Sequence, residues 1–320
     1  MPVRRVAGKL KDAPAKKKGV RKMARKKKIT VKGELDISSI QLPTERKDVS
    51  TRIEDYSMLF YGEYKFGKTT FFSTFPDALF LTTEPGTSGL DIFEFNWKHG
   101  GITSWPVAQQ ALKMLEKSDR FATIIVDTSD EAYRKCMEYV CMAKSGVKHP
   151  HDANDFGATW NAVFAEFMSL FQSIKDTGRA VHFTSHIRTG EVKDSQGQKY
   201  DRVNPTLSGQ PEKAVLAAVD FVFYGQYVRQ ADNTQRRVIV TEGSDTVTAG
   251  QRKIAGGKVK LPPAILLPLD EEQDYEVFKA AFEGRYEAPS SGDLIPSRKA
   301  KKGEAEHLAR VRMRTVRKEG

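Results

Sequence analysis

The sequence has only two cysteines, Cys136 and Cys141, in 320 residues. That is too few for a disulfide framework, and a reducing cytoplasm is the expected setting. No apolar run approaches the roughly 20 residues that span a membrane, so no membrane is expected to be involved. The basic start is not followed by an apolar stretch and does not read as a secretory signal. Hydrophobic residues make up only 39% and mean hydropathy is −0.51. Polar tails around an ordinary core account for both values. Acids are scarce at the two ends. Residues 1–33 hold 14 Lys and Arg against Asp12 alone, and residues 297–320 hold nine against three acids. The net charge of +11 therefore sits in the ends, and residues 34–296 carry −8. A basic average of this kind does not make the folded part a basic nucleic-acid-binding surface.

Residues 1–33 also lack any aromatic residue. Such a stretch cannot bury enough surface to fold alone. The expected organisation is a disordered basic arm and linker over 1–50, a folded domain over 51–287, and a basic tail over 288–320. Within the tail, 288–303 reads as linker and Glu304–Lys318 as a basic helix. The arm is either a phosphate-binding segment with a salt-dependent grip or a solubility tail.

What is present is organised around Ser57–Phe75. An apolar run, Met58–Tyr61, leads into Gly62-Glu63-Tyr64-Lys65-Phe66-Gly67-Lys68-Thr69-Thr70, and no further Gly or Pro follows until Pro76. This is G-x-x-x-x-G-K-[ST] between a strand and a helix, a P-loop. The chemistry needs these residue types. Gly62 and Gly67 let the loop turn back so that backbone N–H groups face phosphate oxygens. The helix start near Lys68 favours the same anion. Lys68 reaches the β- and γ-phosphates, and the Thr69 hydroxyl can ligate Mg2+. ATP with Mg2+ is the implied cofactor pair.

Two carboxylates follow. Ala78–Thr82 reads as a strand that leads to Glu84 on a Pro-Gly turn. A carboxylate there lies where open α/β sheets bind ligands, and it can polarise the attacking water. Thr123–Val126 reads as a buried strand delivering Asp127 to the metal beside Thr69. The residue after Asp127 is Thr128 and not Glu, so the base must come from elsewhere, and Glu84 is the candidate.

Farther along, Ile102–Trp105 reads as a short strand. Helices are expected over Val107–Ser118, Glu131–Lys144, Trp160–Lys175 and Tyr275–Phe282. His149-Pro150-His151 matches no usual zinc spacing and reads as a loop. Gly178–His186 reads as another buried strand ending in polar residues, where Ser185 or His186 can meet the γ-phosphate. Residues 187–212 show no apolar period and read as a long loop, a DNA-contacting or gating element. Strands close the domain at Asp220–Tyr227 and Arg236–Thr241, with Arg252 and Lys253 in a turn-rich stretch after them.

The order of these marks, with GEYKFGKTT, FLTTEPG, TIIVDT, Asp155-Phe156-Gly157-x-x-Trp160 and VHFTSHIR, resembles the RecA-like ATPases. More closely, it is similar to phage-encoded AAA-type nucleotide-binding proteins, some of which act as RecA-like single-strand annealing recombinases. The resemblance covers about Ile53 to Gly284. It implies an α/β RecA-like P-loop core, with a mostly parallel central sheet flanked by helices. It also implies Glu84 as catalytic glutamate, His186 as γ-phosphate sensor, the stretch from Ile187 as a DNA-binding loop, and Arg252 or Lys253 as a finger reaching a neighbouring subunit's nucleotide. The partners implied are single-stranded DNA, further copies in a ring or filament, and a single-strand binding protein. Three functions compete: a DNA-stimulated recombination or annealing ATPase, a switch or loader that remodels a replication protein, and a small-molecule kinase. The last lacks an obvious Arg-rich lid.

Overall fold

The computed structural model describes residues 48–287 except 96, 97, 99, 195, 208, 231 and 232, together with 42, 44–46 and 294–296. The described residues from Val49 onward group into one compact unit. The basic arm and the proposed helix Glu304–Lys318 lie outside the described residues.

The chain runs β1 (Met58–Gly62), α1 (Lys68–Ser73), β2 (Ala78–Thr82), β3 (Phe93–Glu94), α2 (Trp105–Leu115), β4 (Thr123–Asp127), α3 (Ser129–Val140) and α4 (Ala158–Asp176). It continues with β5 (Ala180–Ser185), β6 (Ile187–Lys193), β7 (Lys199–Pro205), α5 (Gln210–Ala218), β8 (Phe221–Gln230), β9 (Gln235–Val240), β10 (Gly250–Gln251), β11 (Ala264–Leu266), α6 (Asp274–Phe282) and β12 (Leu294–Pro296). The main sheet has the order β11-β9-β8-β1-β5-β4-β2-β3, with β10 and β12 also on β8. From β8 through β3 the neighbours are parallel, and β9, β10, β11 and β12 are antiparallel additions. This is the expected α/β core around a P-loop, a mostly parallel central sheet flanked by helices.

The continuous apolar strands have a simple cause. Successive side chains point to opposite faces, and both faces are covered. In β1, Leu59 joins a core of Leu81, Val126, Val181 and Phe183 under α2, α3, α4 and α5. Its neighbours Met58 and Phe60 enter the other core, with Phe71, Phe72, Phe80, Phe223 and Phe278 of α6.

Four expectations need correction. Residues 187–212 are not a loop: β6 and β7 form an antiparallel hairpin, and α5 begins at Gln210. The Asp194 carboxylate accepts N–H bonds from Gln196 and Gln198 (both 2.8 Å), and Gly197 takes φ +81° to close the turn. Because most of the hairpin's residues are at least partly exposed, it carries no apolar period. Ile102–Trp105 is not a strand. Ile102 makes one ladder-like bond, its N–H to Thr82 O (2.6 Å), and Trp105 already opens α2 with Pro106 in its first turn. α3 starts at Ser129 because Thr128 caps it, accepting from Glu131 N–H. Finally, Leu294–Pro296, expected in a linker, pairs with Val228–Gln230.

Candidate active site

The P-loop joins β1 to α1. Its two glycines are needed for different reasons. Gly67 caps α1 in the left-handed region, φ +96°, where a side chain would be strained. Gly62 has no such φ. It is opposite Gly225 in register, and a Cβ on Gly62 would stand 2.9 Å from the Gly225 carbonyl oxygen. Its role is close approach rather than turning. Lys68 is buried, and its ammonium donates to the Gly62 and Glu63 carbonyls (3.0 and 2.9 Å). Burial lowers its pKa, opposed by Asp127, Asp130 and Glu84.

Thr69 and Asp127 meet as expected. The Thr69 hydroxyl donates to Asp127 Oδ2 (2.7 Å), and Thr184 donates to the other oxygen. Parallel pairing sets the stage: β5 lies between β1 and β4, so Thr184 sits between the P-loop strand and Asp127. Burial pushes the Asp127 carboxyl up, while the Thr184 and Thr69 hydroxyls pull it down. A hydroxyl and a buried carboxylate side by side are hard oxygen donors suited to Mg2+, whose charge would offset that burial. They fit the ion.

Glu84 stands past the end of β2. Its Oε1 accepts from the Thr128 hydroxyl (2.7 Å), and its Oε2 lies 3.3 Å from His186 Nε2. Two of the expected residues, Glu84 and His186, are therefore in contact. The His186 ring also stacks on Tyr64 of the P-loop, with centroids 3.9 Å apart. Of the other loop residues, Phe66 is buried against Phe60 and Tyr227, and the Lys65 carbonyl accepts from the Tyr227 hydroxyl (3.0 Å). Thr70 lies in the first turn of α1.

Arg252 and Lys253 are not in this cluster. They follow β10, which pairs with Phe221–Val222 at the start of β8, whereas the P-loop's Gly62 pairs with Gly225 farther along that strand. Arg252 lies 3.7 Å from Asp220 and donates to the Ala217 carbonyl. Neither residue reaches its own chain's P-loop. His149 and His151 stack on each other (4.9 Å) and edge against Trp160.

Sequence reasoning missed two groups. Asp130, in the first turn of α3, accepts from Ser185 Oγ (2.6 Å) and from His186 N–H (3.0 Å). Its burial pushes its carboxyl up. An acid three residues past Asp127 was a readable signal. Arg237 of β9 was not readable. It is buried, forks onto Asp274 (2.7 and 2.8 Å), and places Nη1 3.1 Å from where a Gly67 Cβ would be. The antiparallel additions thus brace the back of the P-loop.

A strand, a glycine-bounded loop closing on a buried lysine, and a Thr–Asp pair at the sheet's edge define a P-loop nucleotide-binding protein. A family model described as an AAA domain matches residues 54–253, and the chain belongs to that family. Comparison with curated protein sequences gives no match. Among solved structures, similar ones include the RadB recombinase (TM-score 0.36, 13% identity, covering 68% of this chain and 89% of that one). A KaiC-like protein from the hyperthermophilic archaeon Pyrococcus horikoshii is also similar (0.36, 11%, 68% and 88%). So is the flagellar accessory protein FlaH from Methanocaldococcus jannaschii (0.35, 10%, 68% and 86%). Among the described residues no helix is long and apolar enough to cross a membrane.

Proposed function

We propose that the chain binds ATP with Mg2+, hydrolyses it, and couples hydrolysis to single-stranded DNA in recombination or annealing. The observation that carries the hydrolytic half is the convergence of Lys68, Thr69, Asp127 and Glu84 at one sheet edge. Thr69 and Asp127 hold the Mg2+, which supplies charge stabilisation on the phosphates. Glu84 takes a proton from the attacking water. Lys68 leaves the loop carbonyls to meet the β- and γ-phosphates.

The DNA half rests on two protrusions from that same edge. The hairpin β6–β7 starts directly after His186 and carries Lys193, Lys199, Tyr200 and Arg202. The second is the turn between α3 and α4. These helices pack antiparallel, with Tyr133 against Phe167 (5.0 Å), and α4 leads straight into β5. Phe171 meets Phe183 of β5 (4.7 Å). The start of α4 at Ala158 therefore stands about 20 Å farther along the helix axis, beyond the sheet edge. At that tip Phe156 is fully exposed, with φ +54°. Asp155 fixes the turn by accepting from Gly157 N–H (3.2 Å) and Thr159 N–H (2.8 Å). An aromatic side chain presented this way suits base stacking. The basic arm 1–50 and tail 288–320 add a phosphate grip.

The active form in this reading is a homo-oligomer, ring or filament, in a cytoplasm (a host's, if phage-encoded). Arg252 or Lys253 serves a neighbour's nucleotide, and a single-strand binding protein is a further partner. The net charge of −8 over residues 34–296 supports a second reading, a loader whose turnover DNA does not change. The test is ATP hydrolysis with and without single-stranded DNA, double-stranded DNA and RNA. Stimulation by single-stranded DNA supports the first reading. Turnover indifferent to every nucleic acid supports the loader.

A further inference from the structure

We infer that Tyr64 is a positioning residue that holds the hydrolytic carboxylate in place through His186. The inference rests on the reading of Glu84 as that carboxylate. Tyr64 is 72% exposed, so folding does not require it in the core. Yet its ring lies on His186 at 3.9 Å and 23°. His186 is pinned from two other sides. Its backbone N–H donates to Asp130 Oδ2 (3.0 Å), and its Nε2 faces Glu84 Oε2 (3.3 Å). Asp130 is itself held by Ser185 Oγ (2.6 Å). Among the described residues nothing within hydrogen-bond reach meets His186 Nδ1, which is buried. The tautomer with the proton on Nε2 therefore donates to Glu84, and no competing bond turns the ring away.

Glu84 then has both oxygens engaged, one by His186 and one by Thr128 Oγ1 (2.7 Å). Asp130 fixes the backbone of His186 but leaves the side-chain torsions free. The ring face is fixed by Tyr64 alone among these contacts. Tyr64 belongs to the loop that wraps the phosphates, three residues before Gly67. A shift of that loop on binding or releasing phosphate moves Tyr64, then His186, then Glu84. The state of the phosphate cradle is thereby passed to the carboxylate through one ring stack. The phenol oxygen has no part in this, because the ring face makes the contact.

The experiment measures steady-state ATP hydrolysis, with Mg2+, of the full chain and four variants: Tyr64→Ala, Tyr64→Phe, His186→Ala and the double variant Tyr64→Ala/His186→Ala. Thermal melts accompany each. Tyr64→Ala is expected to lower kcat roughly tenfold, the scale of one lost aromatic contact. KM for ATP and the melting temperature should stay near those of the parent. Tyr64→Phe should hydrolyse normally. The double variant should be no slower than His186→Ala, since both changes break one path. Unchanged kcat in Tyr64→Ala, or additive losses in the double variant, overturns the inference. Glu84→Gln is run alongside. If it keeps full activity, the reading of Glu84 has failed, which is a different result from Tyr64→Ala being silent while Glu84→Gln is dead.

Discussion

Gly225→Ala would test how the P-loop is supported. Gly225 is on β8 directly beside Gly62. A Cβ at this position would stand 2.5 Å from Phe66 Cε1, 2.7 Å from Phe66 Cδ1 and 2.9 Å from Phe60 Cε2. Ordinary contact begins near 3.4 Å, so the Phe66 ring must move by about 1 Å. Phe60 offers no room, since it is fully buried among Phe66, Phe71, Phe72 and Phe223. Phe66 belongs to the P-loop, so the displacement is transmitted to Gly67 and Lys68. Overpacking of this kind costs about 1–3 kcal/mol. The loss of chain entropy in the unfolded state returns about 0.4–1 kcal/mol. A net cost of about 1–2 kcal/mol remains, shared between fold and loop. Two measurements apportion it: the melting temperature without nucleotide, and ATP affinity by titration. A share of about 1.4 kcal/mol borne by the loop weakens ATP about tenfold. A variant that melts and binds ATP like the parent would refute the idea that β8 forms the floor of the P-loop.

Three further outcomes follow from the same geometry. His182 is fully buried between strands, stacked on Phe72 (5.1 Å), and burial pulls its pKa from 6.5 down to about 3. Its folded pKa lies below the unfolded one, so its contribution is complete above pH 6.5 and is lost as pH falls toward 3. The loss is on the order of 5 kcal/mol over that window. Urea titrations from pH 7 to pH 4 should show the decline, and His182→Phe should flatten it. Asp127 is shifted the other way, upward by burial. Without nucleotide its charge costs stability above its folded pKa. Asp127→Asn should therefore melt no lower than the parent at pH 7, and the gap should close as pH falls through that pKa. The same variant should lose any Mg2+ dependence of ATP affinity. Phe156→Ala should leave the melt and DNA-free hydrolysis unchanged while weakening single-stranded DNA by about 1–3 kcal/mol, measured by fluorescence anisotropy.

The sheet was legible because both faces are covered. Met58–Tyr61, Ala78–Leu81 and Ile124–Val126 are unbroken apolar runs that no exposed strand would carry. The phosphate cradle was legible because few residue types satisfy its turn and its lysine. The hairpin β6–β7 was not legible, since two largely exposed faces leave no alternation to read. Its turn at Asp194–Gly197 was a local signal that went unused. Arg237 and Asp274 could not have been paired from spacing. They are 37 positions apart and meet only because β9 folds back beside β8. Asp130 lay within reach, one helical turn past Asp127, but its partners Ser185 and His186 come from a different strand. The role of Gly62 was read as a turn and proved to be the close passage of Gly225.

The central claim is a single-stranded-DNA-stimulated ATPase whose hydrolytic carboxylate is Glu84. The most direct measurement is ATP turnover by the full chain and by Glu84→Gln, each with Mg2+, with and without single-stranded DNA. The account predicts that DNA raises turnover in the parent, and that Glu84→Gln binds ATP normally but does not turn it over in either condition. Hydrolysis by Glu84→Gln at the parent's rate, or a parent rate indifferent to DNA, would contradict it.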